Sequence, residues 1–193
     1  MISEPIAVTL QVVTLLDRLG VPYAIGGSLA SSIYGAARMT MDADLIAEVR
    51  SEHVAALVQG LSSDFYVDAD TIRDAITHKR SFSVVHLASM FKVDVFIPKL
   101  RQFDRAQLER RVKQVVATDP ERTVYVATAE DTILAKLEWY RLGNEVSERQ
   151  WRDVLGILQV QAERLDLDYL HRSAEALQVA DLLNKALSEL RTA

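Results

Sequence analysis

An α+β architecture, a mixed β-sheet with flanking helices followed by a C-terminal helical bundle, is predicted by three features of the 193-residue sequence. Short apolar segments of strand length alternate with helical periodicities up to about residue 127. Within that stretch, 81–87 and 91–97 are parted only by Ala88-Ser89-Met90, which predicts an antiparallel hairpin. From Thr128 onward the strand-like segments stop, and leucines recur at helical spacing. The expected organisation is therefore a sheet domain over 1–127 and a helical tail over 128–193, joined closely enough to pack together.

The elements follow in order. Ser3 and Pro5 open a helix that Gly20 and Pro22 close, with Leu10, Val13 and Leu16 on its apolar face. Tyr23-Ala24-Ile25 is a short strand running into Gly26-Gly27, and 28–34 a short helix closed by Gly35. A strand over 42–49 precedes a helix capped by Ser51, a brief strand over 65–67 and a polar helix over 70–79. After the hairpin, 101–113 reads as helix, and 114–118 and 123–127 flank a turn at Asp119-Pro120. In the tail, Thr128 with Asp131 and Ser147 with Gln150 look like helix starts. Two further helices fill 166–191, carried by Leu167, Leu170, Leu177, Leu182, Leu183 and Leu187. Trp139, Tyr140 and Trp151 are expected to pack between tail helices.

Composition narrows the function classes. Apolar residues at 49% and charged residues at 25% suit a globular protein able to bury a core without staples. The chain has no cysteine, which excludes disulfides and thiolate metal sites. Glu4, Asp17 and Arg18 interrupt the N-terminal apolar pattern, so it reads as an amphipathic helix and not as a signal peptide. No apolar run approaches the roughly 20 residues of a membrane span. A cytoplasmic protein without membrane partners is expected. The net charge of −5 argues against a general nucleic-acid coat protein, though not against a local basic groove; the series Arg101, Arg105, Arg110, Arg111 and Lys113 reads as a solvated helix face, with an acceptor-binding surface as the alternative. His53, His78, His86 and His171 fall in no metal-binding spacing.

Three short pieces carry chemistry: Gly26-Gly27-Ser28, Asp42-Ala43-Asp44, and Asp94 within an otherwise apolar strand. Residues two apart on a strand face the same way, so Asp42 and Asp44 present two carboxylates about 7 Å apart at Cα. Asp94 shares its face with Lys92 and Phe96, opposite Val93, Val95 and Ile97. If the two strands are neighbours, three carboxylates converge. Two of them about 6 Å apart repel by roughly 3 kcal/mol at an effective dielectric of 20, so a cation or proton is required. An all-oxygen set favours Mg²⁺ or Mn²⁺. Gly26 and Gly27 would let backbone N–H groups approach phosphate oxygens, and Ser28 would open a helix whose N-terminus favours anions. Arg38 could add bidentate charge to the same phosphates.

Gly26-Gly27-Ser28, a thirteen-residue gap, then Asp42-Ala43-Asp44-Leu45 and the later Asp94 resemble the signature of the nucleotidyltransferase superfamily, with its DNA polymerase beta-like fold. The run Arg38-x-Thr40-x-Asp42 looks like the branch of AbiEii/AbiGii-type toxin nucleotidyltransferases and related uncharacterised bacterial proteins. The resemblance implies that Asp42 and Asp44 bind metal, that Asp94 completes the site and activates an acceptor hydroxyl, and that Gly27 and Ser28 hold phosphates. In the tail, 130–136 and 149–154 are similar to helices bordering the cleft of that branch. This adds Lys136 to the nucleotide-binding candidates, although its stripe with Ile133 and Leu137 better suits a snorkelling surface lysine. The activity implied is transfer of a nucleoside monophosphate from a nucleoside triphosphate to an acceptor such as tRNA, protein or a small molecule. A silent nucleotide-binding module, one half of a toxin–antitoxin pair with a cognate partner protein, is the alternative. A phosphohydrolase is disfavoured, because no histidine accompanies the carboxylates.

Overall fold

The computed structural model describes residues 3–35 and 40–192. Seven strands form one mixed sheet: β1 (Tyr23–Ile25), β2 (Asp42–Ala47), β3 (Phe65–Tyr66), β4 (Ser81–His86), β5 (Lys92–Phe96), β6 (Val112–Thr118) and β7 (Glu121–Val126). Their order is β3-β4-β5-β2-β1-β7-β6. The pairs β2/β5 and β1/β7 are parallel, and the other four are antiparallel. The helices are α1 (Glu4–Arg18), α2 (Gly27–Tyr34), α3 (Val54–Leu61), α4 (Ala69–His78), α5 (Gln102–Glu109), α6 (Ala129–Leu142), α7 (Glu148–Gln161), α8 (Leu167–Ala176) and α9 (Ala180–Thr192). No described helix is long and apolar enough to cross a membrane.

The described residues form two compact units. One comprises those up to Gly26 and from Thr40 to Ala127; the other comprises Gly27–Gly35 and the chain from Thr128. Helix α2 therefore belongs with the C-terminal helices, although the chain returns to the sheet after it. Its small buried residues Ala30 and Ser31 let it pack closely on α6 and α7. Gln161 of α7 donates to the Tyr34 carbonyl at 3.1 Å.

In the sheet unit, strand alternation sets the layers. Ala43, Leu45, Ala47, Val93, Val95, Phe82 and Val84 are buried on one face. Val8, Val12, Val13 and Leu16 of α1 are buried with them, α1 packing on β2 and α3, and α4 on β4. Asp42, Asp44, Ile46, Lys92, Asp94 and Phe96 line the opposite face and are half-buried. At its far end, Ile46 packs against Ala24, Ala127 and Leu108 of α5. In the helical unit, Ile133, Leu134, Leu137, Ile157, Leu170 and Leu183 are essentially inaccessible and form the core.

Two expectations needed correction. The helix expected over 101–113 stops at Glu109, because Val112 and Val115 are recruited to β6 by pairing with β7. Ser51 does not cap a regular helix. It begins a 3₁₀ turn, Ser51–His53, whose entry is held by the Arg50 N–H donating to His53 Nδ1 at 3.0 Å. In the tail, Thr128 and Ser147 do cap α6 and α7, accepting from the N–H groups of Asp131 and Gln150. Tyr140 and Trp151 pack ring to ring at 5.3 Å, whereas Trp139 is 53% exposed and takes no part in that contact.

Candidate functional site

The parallel register of β2 and β5 decides the geometry. Asp42 lies opposite Lys92, and Asp44 lies directly opposite Asp94. Neighbouring strands are about 4.8 Å apart, and side chains two apart share a face, so the three carboxylates and Lys92 form one patch. Asp42 and Lys92 stand at the N-terminal ends of their strands. The Gly26 N–H donates to the Asp44 carbonyl at 2.8 Å, which brings the start of the Gly-Gly turn beside the same strand end.

Asp42 and Asp94 are each positioned by neighbouring side chains. Thr40 Oγ1 lies 2.9 Å from the Asp42 carbonyl and 3.0 Å from Asp42 Oδ1, tying the aspartate to the strand entrance. Asp94 is held from two sides. Ser83 of β4, opposite it in register, donates to Oδ1 at 2.5 Å, and Lys92 Nζ sits 2.6 Å from Oδ2. The side chain of Asp94 is 16% exposed and that of Lys92 44%. The hydrogen bond to Asp94 holds Lys92 above the ordinary lysine range against its partial burial, reinforced by the charges of Asp94, Asp42 and Asp44. One ammonium thus lies in the field of all three carboxylates.

An all-oxygen donor set on adjacent strand positions suits a hard divalent cation such as Mg²⁺ or Mn²⁺. The ammonium of Lys92 shows that this patch accommodates a positive charge. Among the described residues, no three acidic or histidine side chains stand gathered around a single point. With Lys92 and Ser83 on its two oxygens, Asp94 is turned to those partners.

The other candidates are distributed as follows. Gly27 has φ +53°, a conformation that glycine adopts without the Cβ penalty, and it opens α2. At Gly26 a Cβ would meet only the Asp44 carbonyl oxygen, at an ordinary 3.9 Å, so the glycine requirement falls on Gly27. Ser28 is buried in the first turn of α2, which contains no acidic residue. Arg38 lies outside the described residues. Lys136 is not a snorkelling surface lysine. It is 4% exposed, its Nζ 2.7 Å from Asp153 Oδ2 and 3.0 Å from Gln150 Oε1. Nearby in the helical unit, Tyr169 donates to Asp131 at 2.6 Å and the Asp166 N–H to Glu130 at 3.0 Å, fastening α8 to α6.

Sequence reading placed Lys92 on the carboxylate face without giving it a role, and it missed Ser83. The signal for Lys92 was its i−2 spacing from Asp94. For Ser83 there was none, because its approach depends on the β4/β5 register.

No family model matches the chain, and no curated protein matches it. Solved structures do. An antigenic nucleotidyltransferase-like protein from Paracoccidioides brasiliensis is 18% identical, with a TM-score of 0.56 over 97% of this chain and 94% of that one. The solution structure of the antibiotic-resistance factor ANT(2'')-Ia is 15% identical, with a TM-score of 0.58 over 100% and 98% of the two chains. A crystal structure of ANT(2'')-Ia with adenylyl-2''-tobramycin gives 13%, 0.57, 91% and 98%. Identities this low carry architecture and no more, and on that ground the chain has the fold of nucleotidyltransferase-like proteins.

Proposed function

We propose that the protein is a metal-dependent nucleotidyltransferase that moves a nucleoside monophosphate from a nucleoside triphosphate to an acceptor hydroxyl on RNA, protein or a small molecule. The observation that carries this reading is the β2/β5 register, with Asp44 opposite Asp94, Asp42 on the same face, and a lysine ammonium among them. Asp42, Asp44 and Asp94 would hold Mg²⁺ or Mn²⁺. Bound there, the ion supplies the charge that aligns and polarises the α-phosphate. Gly26, Gly27, Ser28 and Arg38 are assigned to the triphosphate; Lys136, which the resemblance alone adds to the nucleotide-binding residues, spends its ammonium on Asp153 and Gln150. Placement in the AbiEii/AbiGii-like branch, with its toxin–antitoxin context and partner protein, rests on the Arg38-x-Thr40-x-Asp42 run and belongs to the same proposal.

Asp94 is assigned the proton. The acceptor oxygen bonds to the α-phosphorus, the bond from that phosphorus to the bridging oxygen of pyrophosphate breaks, and the hydroxyl proton passes to the Asp94 carboxylate. Thr40 and Ser83 keep Asp42 and Asp94 in place, which lowers the reorganisation needed for reaction.

The test is incubation with each of four α-labelled nucleoside triphosphates, Mg²⁺ or Mn²⁺ and cell extract. Label in an RNA, protein or small-molecule fraction, lost in Asp42→Asn, is expected and names the acceptor class. Label nowhere, with nucleotide binding retained, would assign the silent binding module instead. A protein that neither labels nor binds nucleotide would overturn both.

A further inference from the structure

Lys92 stands out because nothing in the proposed chemistry uses it, yet the fold places it among all the charges that do the work. It faces Asp42 across the β2/β5 ladder, lies two residues from Asp94 on the same face of β5, and contacts Asp94 Oδ2 at 2.6 Å. An isolated surface ion pair would contribute little and signify nothing. This one differs in that its acid is mostly covered and two more carboxylates share its neighbourhood. Like charges held together by a sheet register require neutralisation whether or not an ion is bound.

We infer that Lys92 is the resident counter-cation of the carboxylate patch: its ammonium holds the place on Asp94 that a divalent cation takes, and it leaves Asp94 when the ion binds. This inference rests on the proposed metal-dependent reading and adds a positioning residue to it. Ser83 makes the exchange workable. Its bond to Oδ1 keeps Asp94 in place while Oδ2 changes partner, so the site passes from one neutralised state to another without collapsing. The side chain of Lys92 is 44% exposed, which leaves its flexible stem free to withdraw from the patch. The consequence is built-in competition. Binding of a bare ion is weakened by the displacement of Lys92, as for any two ligands sharing a site.

The experiment is Mn²⁺ titration without nucleotide, followed by calorimetry and by the spin-resonance signal of free Mn²⁺. It compares the parent, Lys92→Met, Lys92→Arg and the off-site control Lys113→Met. Lys92→Met should bind about tenfold tighter than the parent, equivalent to about 1.4 kcal/mol, with the other two variants within about twofold. Equal or weaker binding by Lys92→Met overturns the inference while leaving the metal-dependent reading intact. Absence of Mn²⁺ binding in all four proteins overturns both. A second measurement needs no variant. In parent protein carrying ¹³Cε-labelled lysine, the Lys92 resonance should move as Mg²⁺ is added, and a resonance unmoved at saturating Mg²⁺ overturns the exchange.

Discussion

Two lysine–aspartate pairs, one in each unit, have nearly the same contact distance and opposite physical settings. Lys92 and Asp94 meet at 2.6 Å with side chains 44% and 16% exposed. Lys136 and Asp153 meet at 2.7 Å with both side chains at 4–5%. The sheet pair sits on a half-open face beside further carboxylates, where water and other cations can compete for it. The helical pair is sealed between α6 and α7, with Gln150 taking another of the ammonium's donors. Distance alone therefore does not tell what an ion pair is for. Burial determines whether it can be exchanged or only broken.

The largest effect is expected at the buried pair. Lys136→Met should destabilise the protein by about 3–5 kcal/mol, because Asp153 would remain buried without its cation. Lys136→Met combined with Asp153→Leu should recover most of that loss, since an apolar pair leaves no buried charge there. Urea unfolding of the two variants checks this, and a mild effect of the single change would mean that the pair is more open than its exposure implies.

At the exchangeable pair, loss should register in chemistry instead. Asp94→Asn should bind metal–nucleotide within about tenfold of the parent. Transfer should meanwhile fall by at least about a thousandfold, roughly 4 kcal/mol of barrier. Calorimetric titration with a non-hydrolysable triphosphate, beside single-turnover kinetics, separates the two quantities. If binding vanishes as well, Asp94 holds the nucleotide as much as it serves the acceptor.

Lys92→Met sharpens the contrast from the stability side. Its cost in urea unfolding of the metal-free protein should be smaller than that of Lys136→Met, because water and salt cations reach a patch whose ammonium is 44% exposed and can replace it there. A loss comparable to that of Lys136→Met would erase the distinction between the two pairs.

The smallest effect belongs to a helix-capping carboxylate. Asp68 caps α4, accepting from the Thr71 N–H at 2.7 Å, and this hydrogen bond holds its carboxyl below the usual aspartate range. A folded-state value below the unfolded one contributes stability that is present above about pH 4 and lost as pH falls through the folded value. Asp68→Asn should keep the cap and lose that acid-dependent component, whereas Asp68→Ala should lose both. Unfolding curves at pH 7 and pH 3 distinguish them, and an unchanged pH difference in Asp68→Asn would assign the acid sensitivity elsewhere.

Local spacing carried much of the fold. The 81–97 hairpin, the caps at Thr128 and Ser147 and the four tail helices were legible because hydrogen-bonding side chains and apolar periodicity act over a few residues. The end of α5 was not, since the valines of 112–116 are extended only by virtue of β7 alongside them.

At the site, the residue types and their order along the chain were determined by the sequence itself. Gly27 at a left-handed turn, Asp42 and Asp44 on one strand face, and Asp94 on the polar side of an apolar strand all follow from backbone geometry within single elements. Tertiary structure alone decided what surrounds them. Strand register set Asp44 opposite Asp94, brought Ser83 to Oδ1, and placed Lys92 across from Asp42. Helix packing buried Lys136 on Asp153, where its stripe of apolar neighbours had better suited a surface lysine. Partners distant in sequence are chosen by which strands and helices become neighbours, and that choice is made by the whole core at once, so no single segment encodes it.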